Sequence, residues 1–129
     1  MTTQLTGLSV FEMLRGLRVG DFSCRELTAA HLERIHQLEP ALHAFISLAP
    51  EKALADADRA DARYAAFRKT GSEKLPALLG LPIAVKDLIT VKDMGCTCGS
   101  RVLEGFVAPF TATAVQRLVD AGVIVLGKT

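Results

Sequence analysis

The sequence predicts an α/β fold in which N-terminal helices lead into a single β-α-β unit that stops before a sheet is complete. Ser9 and Ser23 each stand three residues before a glutamate, the capping-box signature of a helix start. Apolar residues recur at helical spacing until about residue 69, then gather into two short runs, Ile83-Ala84-Val85 and Val123-Ile124-Val125-Leu126. An amphipathic segment lies between those runs, so the two strands are joined by a helical crossover and should pair in parallel.

Each element has its own local reason. Ser9 and Glu12 open a short helix whose Val10, Met13, Leu14 and Leu17 share a face, and Gly16 and Gly20 weaken its end. Ser23 and Glu26 open a second helix, with Leu27, Ala30, Leu32, Ile35 and Leu38 at helical spacing and Pro40 as its expected stop. His43 to Leu48 reads as an apolar connector. Pro50 suits a first helical position and Glu51 suits the positive end of the helix dipole. From there to about Lys69, Ala53, Leu54, Ala57, Ala60, Tyr64 and Phe67 make a narrow apolar stripe, and the Asp, Arg and Lys residues between them should be solvated. Gly71 to Lys74 reads as a surface loop, and Ile83-Ala84-Val85 as a buried strand ending at Lys86-Asp87. A loop containing Gly and Cys follows over Lys92 to Ser100. Thr111 to Ala121 then reads as a helix with Ala114, Val115, Leu118 and Val119 inward and Gly122 as its C-terminal cap. The final strand, Val123 to Leu126, ends three residues before Thr129. Parallel strands need cover on both faces, so a two-stranded sheet reads as the start of a larger one. The expected organisation is one partial domain, with helices over about residues 1–75 and the start of an α/β core over about 76–129.

Composition narrows the function. Fifteen basic residues against 14 acidic ones leave a net charge of +1, which gives no electrostatic case for a broad nucleic-acid surface, so any contact with RNA would be local or made by a partner. Cys24, Cys96 and Cys98 are an odd count without a secretory context, so a disulfide framework is not expected. Met1 to Leu8 carries no address signal, and no apolar stretch approaches the roughly 20 residues a membrane span requires. The chain reads as cytoplasmic, with no membrane partner.

Gly122-Val-Ile-Val-Leu-Gly127-Lys128-Thr129 matches the phosphate-loop pattern G-x-x-x-x-G-K-[ST] letter for letter. The chemistry of that motif needs its middle residues in a loop with free N–H groups, and Val123 to Leu126 is strand-forming, so nucleotide binding is not expected there. Cys96-Thr-Cys98 has a one-residue spacing and no second pair, which does not fit a metal site, and no metal site is expected elsewhere. His31, His36 and His43 share no helical spacing and read as surface or boundary residues. Lys86 is different. It stands at the carboxyl end of a strand, where α/β sheets place their sites, and a lysine covered from water there could act as a general base. Read alone, a strand-end lysine is more simply a solvated one.

Gly80-Leu-Pro-Ile-Ala-Val-Lys86-Asp87 resembles the first catalytic block of the amidase-signature family. Gly95-Cys-Thr-Cys-Gly-Ser100, Ala112-Thr-Ala-Val-Gln-Arg-Leu118 and Ala121 to Thr129 resemble the loop, helix and strand that follow it there. The resemblance runs from about Leu5 and is most specific over Leu79 to Thr129. Ser100 to Phe110 resembles in particular the A subunits of glutamyl-tRNA(Gln) and aspartyl-tRNA(Asn) amidotransferases, although Leu88 and His43 stand where Asn is common in those proteins.

The resemblance implies the mixed sheet of that family and a Ser–cis-Ser–Lys triad. In it, a lysine acts through a middle serine to deprotonate a nucleophilic serine that attacks an amide, and backbone N–H groups hold the oxyanion. Only the lysine falls on this chain, at Lys86. Both serines belong to blocks that follow, Ser100 is not assigned to the triad, and Asp87 would at most support Lys86. For an amidotransferase of this kind the resemblance implies glutamine as ammonia donor, B and C subunits for partners, misacylated tRNA reached through the complex, and ATP with magnesium at the B subunit. No cofactor is implied in this chain, and the segment by itself is expected to be inactive. A stand-alone amidase acting on small amides is the alternative, because Leu88 occurs in such enzymes. A short partner-binding protein is a third reading, and an exposed last strand in need of neighbours counts against it.

Overall fold

The computed structural model describes residues 5–72 and 74–129. Part of the Met1 to Leu8 stretch and one position of the Gly71 to Lys74 loop, Glu73, lie outside the described residues. Helices α1 (Val10–Val19), α2 (Cys24–Leu42) and α3 (Pro50–Thr70) precede β2 (Pro82–Val85), α4 (Thr113–Asp120) and β3 (Ile124–Lys128), and a two-residue strand, β1 (Ser47–Leu48), falls between α2 and α3. The fold is α/β, with a three-stranded mixed sheet ordered β1-β3-β2. β2 pairs with β3 in parallel, as the crossover requires, and β1 pairs with β3 antiparallel.

Three features of the sheet differ from what the sequence predicts. The apolar connector after α2 contributes β1, whose two residues are too few to show a period. The last strand is central and buried at every position, so it already has a neighbour on each side. β2, like β1, is an edge strand, with only Val85 buried and Ala84 exposed. Opposite Ile83 and Ala84 stand Val125 and Gly127, so Leu126 is an extra residue on β3, a bulge that resets the register before the strand end.

Both N-terminal helices open on complete capping boxes: Ser9 and Ser23 accept from the backbone of Glu12 and Glu26, whose carboxylates reach back. Pro40 does not stop α2. It lies in the last turn, so the bond it denies the His36 carbonyl falls near the helix end, and the helix closes at His43 in the left-handed conformation (φ 49°). Of the α3 charges expected to be solvated, Asp61 is committed: its carboxylate accepts from the Cys24 and Arg25 amides at 2.7 and 3.0 Å, serving the free N–H groups of α2. Arg25 also pairs with Asp58 at 2.7 Å.

The main core joins Met13, Leu17, Leu27, Ala53, Ala57, Ala60 and Tyr64 of the helices to Leu79, Leu81, Ile124 and Leu126. Small alanines let α3 approach closely, and each fully buried leucine such as Leu27 contributes about 1.5–3 kcal/mol. A smaller cluster of Val85, Val91, Met94, Val115 and Val125 covers the other side of the sheet. Alternate β3 residues thus enter different clusters, which explains an apolar run without polar alternation. α4 ends in a Schellman motif, with Gly122 (φ 99°) donating to Val119 and Val123 donating to Leu118 at 2.9 and 3.2 Å. Its inward face is narrower than its sequence suggests: Val115 is buried, but Ala114 is exposed and Leu118 and Val119 are each 39% exposed.

Candidate active site

The carboxyl ends of β2 and β3 lie side by side, and the chain leaves both through a short ladder. The Thr129 amide donates to the Val85 carbonyl at 3.0 Å, and the Asp87 amide donates to the Thr129 carbonyl at 2.7 Å. Lys86 sits between those bonds. Its own carbonyl accepts from Ile89 at 2.9 Å, closing a turn, so its backbone is held on both sides. The side chain is exposed, and among the described residues none pairs with its amine. In this segment Lys86 is therefore a solvated lysine on a fixed backbone.

Asp87 turns inward and is 3% exposed. It does not pair with Lys86. One carboxylate oxygen accepts from the Thr97 amide and hydroxyl at 2.9 and 2.6 Å, and the other lies 3.8 Å from the Lys128 ammonium. Burial alone would raise its pKa, but the Thr97 hydroxyl and amide, the nearby Gly99 amide and the Lys128 charge together hold the carboxyl below the ordinary value.

Lys128 is fully buried, which its sequence neighbours do not predict. Its ammonium donates to the Gly95 and Asp87 carbonyls at 3.1 and 3.2 Å. A lysine just after an apolar, β-branched run is the signal the sequence offers, and the same letters also match a phosphate loop. Gly127 and Lys128 are strand residues with no loop around them.

The 95–100 loop packs on Asp87. The Cys96 thiol donates to the Asp87 carbonyl at 3.0 Å, and burial pushes its pKa up, which keeps it a thiol. Cys98 is exposed, and Cys24, the third cysteine, is buried in the main core. Among the described residues no three His, Cys, Asp or Glu side chains gather to hold a metal ion. Ser100 caps the 3-10 turn Arg101–Leu103 by accepting from the Val102 amide at 3.3 Å. None of the three histidines enters the site: His36 and His43 are exposed, and the half-buried His31 lies 2.9 Å from the Leu27 carbonyl.

The family model described as Amidase matches residues 26–129, which takes in the whole of this site. The chain belongs to the Amidase family. Similar curated members of the family include the A subunit of the glutamyl-tRNA(Gln) amidotransferase of Thermobifida fusca (strain YX), 44% identical over 98% of this chain and 24% of that protein. Its counterpart of the same name in Pseudomonas putida (strain W619) is 49% identical over 95% of this chain and 24% of its own length. Among solved structures, the peptide amidase of Stenotrophomonas maltophilia superposes with a TM-score of 0.80 at 37% identity, over 94% of this chain and 24% of that one. The chain thus spans about a quarter of the length of these relatives. No helix among the described residues is long and apolar enough to cross a membrane.

Proposed function

We propose that this chain is the N-terminal part of the glutamine-hydrolysing A subunit of a tRNA-dependent amidotransferase, with Lys86 as the lysine of a Ser–cis-Ser–Lys triad. The observation that carries the reading is identity of 44–49% to proteins of that name over nearly the whole chain. Lys86 adds support by its position, a fixed backbone with a free amine at a strand's carboxyl end. In this reading two serines from later segments close over Lys86. Its amine takes the middle serine's proton as that serine takes the nucleophile's; the nucleophile bonds to the amide carbon, the proton is handed to the amide nitrogen so that it leaves as ammonia, and water then hydrolyses the acyl-enzyme. Ammonia then serves transamidation of misacylated tRNA in a complex with B and C subunits, where ATP and magnesium are used at B.

Lys86→Ala in the full-length parent polypeptide tests the assignment. Glutamine hydrolysis should fall by at least about a hundred- to ten-thousand-fold, the usual share of a general base, with the fold intact by circular dichroism. Normal turnover in the folded variant would remove Lys86 from the mechanism. The 129-residue segment by itself should release no ammonia from glutamine or simple amides. A stand-alone amidase is the second reading, favoured by the 37% identity to a peptide amidase and by the exposed Leu88 at a position where the amidotransferase proteins commonly carry Asn. The two separate on substrate: the amidotransferase component should respond to its B and C partners and prefer glutamine, whereas a stand-alone amidase should cleave small amides without them.

A further inference from the structure

We propose that Lys128 is a positioning residue, a buried tie that holds the base Lys86 at its working place; this rests on the reading of Lys86 given above. Lys128 has three ammonium protons and no contact with solvent. Two are committed to carbonyls in different segments, Asp87 at 3.2 Å and Gly95 at 3.1 Å. The third has the free Asp87 carboxylate oxygen 3.8 Å away, an oxygen with no hydrogen-bond partner among the described residues. The ammonium therefore binds both the backbone and the side chain of the residue that follows Lys86.

A burial of this kind is costly unless the charge is paired and hydrogen-bonded. Asp87 supplies the partner, and Thr97 supplies the remaining donors to Asp87. The result is a closed unit of β3, the strand end after β2, and the 95–100 loop. Lys86 is the one member of Val85-Lys86-Asp87 whose side chain is left outside it. Without the ammonium, the Asp87 carbonyl would keep only the Cys96 thiol, a weak donor, and the Gly95 carbonyl would lose its Lys128 bond. The turn that carries Lys86 would then be free to shift, and a misplacement of about 1 Å can cost about a hundred-fold in rate.

The test compares Lys128→Met, the pair Asp87→Asn with Lys128→Met, and Lys86→Ala, all in the full-length parent polypeptide, by glutamine hydrolysis and circular dichroism. Lys128→Met should lower kcat by about a hundred-fold with KM within about two-fold, because it disturbs the base and no substrate-binding group. The double variant buries no unpaired charge. It should fold and still show the low kcat, because the ties to the Asp87 and Gly95 carbonyls remain absent. Wild-type kcat in either folded variant, or a loss carried by KM alone, overturns the proposal. So does failure of both variants to fold, which would make Lys128 a folding residue only. The Lys86→Ala arm is separate: if it kills activity while Lys128→Met does not, Lys86 stands as the base and only the positioning role falls.

Discussion

Gly127→Ala should detach β1 from the sheet. A Cβ at residue 127 would overlap the Ser47 carbonyl oxygen and stand 2.9 Å from Leu48 Cδ2 and 3.1 Å from Leu48 Cα, so the obstacle is largely backbone and cannot be moved by a side-chain rotation. Two responses compete. Holding β1 in place compresses the contact, at the 1–3 kcal/mol typical of overpacking, about as much again if the backbone resists. Letting β1 go forfeits the bonds from Ile46 to the Lys128 carbonyl (2.8 Å) and from Ala49 to the Leu126 carbonyl (2.9 Å). At about 0.5–1.5 kcal/mol net for each bond, release costs about 1–3 kcal/mol. The stiffer unfolded chain of the alanine variant offsets about 0.4–1 kcal/mol of that, leaving about 1–2 kcal/mol of destabilisation by the easier route. Urea unfolding would show it as a lower midpoint with little change in slope. Hydrogen exchange would locate it, with protection lost at Ile46 and Ala49 and kept at Ile124, whose bond to the Leu81 carbonyl lies on the other edge. An unchanged midpoint with full protection at Ile46 and Ala49 would refute the reasoning.

Three further outcomes follow from the site and the core. The Asp87 carboxyl is held below its ordinary value, so the stability it contributes is complete above the unfolded value of about 3.9 and is lost as pH falls through the folded one; urea midpoints should drop below about pH 4, and Asp87→Asn should flatten that limb, whereas parallel curves would remove Asp87 as the cause. Burial, with the neighbouring Cys24, pushes the Tyr64 hydroxyl up to about 12, and it donates to the Leu79 carbonyl at 2.9 Å. Its contribution is therefore present below about pH 10 and declines towards pH 12; Tyr64→Phe should cost about 1 kcal/mol at neutral pH and lose the alkaline decline, and a variant as stable as wild type at pH 7 would contradict this. Calorimetric titration with ATP should give no specific heat at Gly122 to Thr129, and micromolar binding abolished by Lys128→Ala would show the strand assignment to be wrong.

Local signals were legible wherever the chain's own chemistry decides the structure. The two capping boxes, the alanine stripe of α3, the Schellman glycine of α4 and the β-branched run of β3 all follow from residues within a few positions of one another. Properties decided by distant partners were not. β1 is a strand because Ser47 and Leu48 meet Lys128 and Gly127, some 80 positions later, through a gap that only a glycine leaves open. Asp61 reads as one more solvated acid of a charged helix until α2 sets its free N–H groups against it. Pro40 carries a strong stop signal, but in the last turn little helix remains beyond it for the lost bond to disrupt.

The two lysines of the site show the same division at its sharpest. Lys86 stands out in the sequence because its block of neighbours is distinctive, and the structure leaves its amine in solvent. Lys128 carries the local letters of a phosphate-binding lysine, yet its surroundings invert every requirement of that role. A phosphate loop offers free backbone N–H groups and an ammonium aimed at an anion from solvent. Here Ile124 donates to Leu81 and Thr129 to Val85, so the flanking N–H groups belong to the sheet, and the ammonium points into the protein at two carbonyls and a carboxylate. The buried anion it serves is Asp87, 41 positions earlier in the chain. No window of sequence around residue 128 contains that partner. The pairing of β2 with β3 brings it there, and the same pairing sets Lys86 beside it with its amine free.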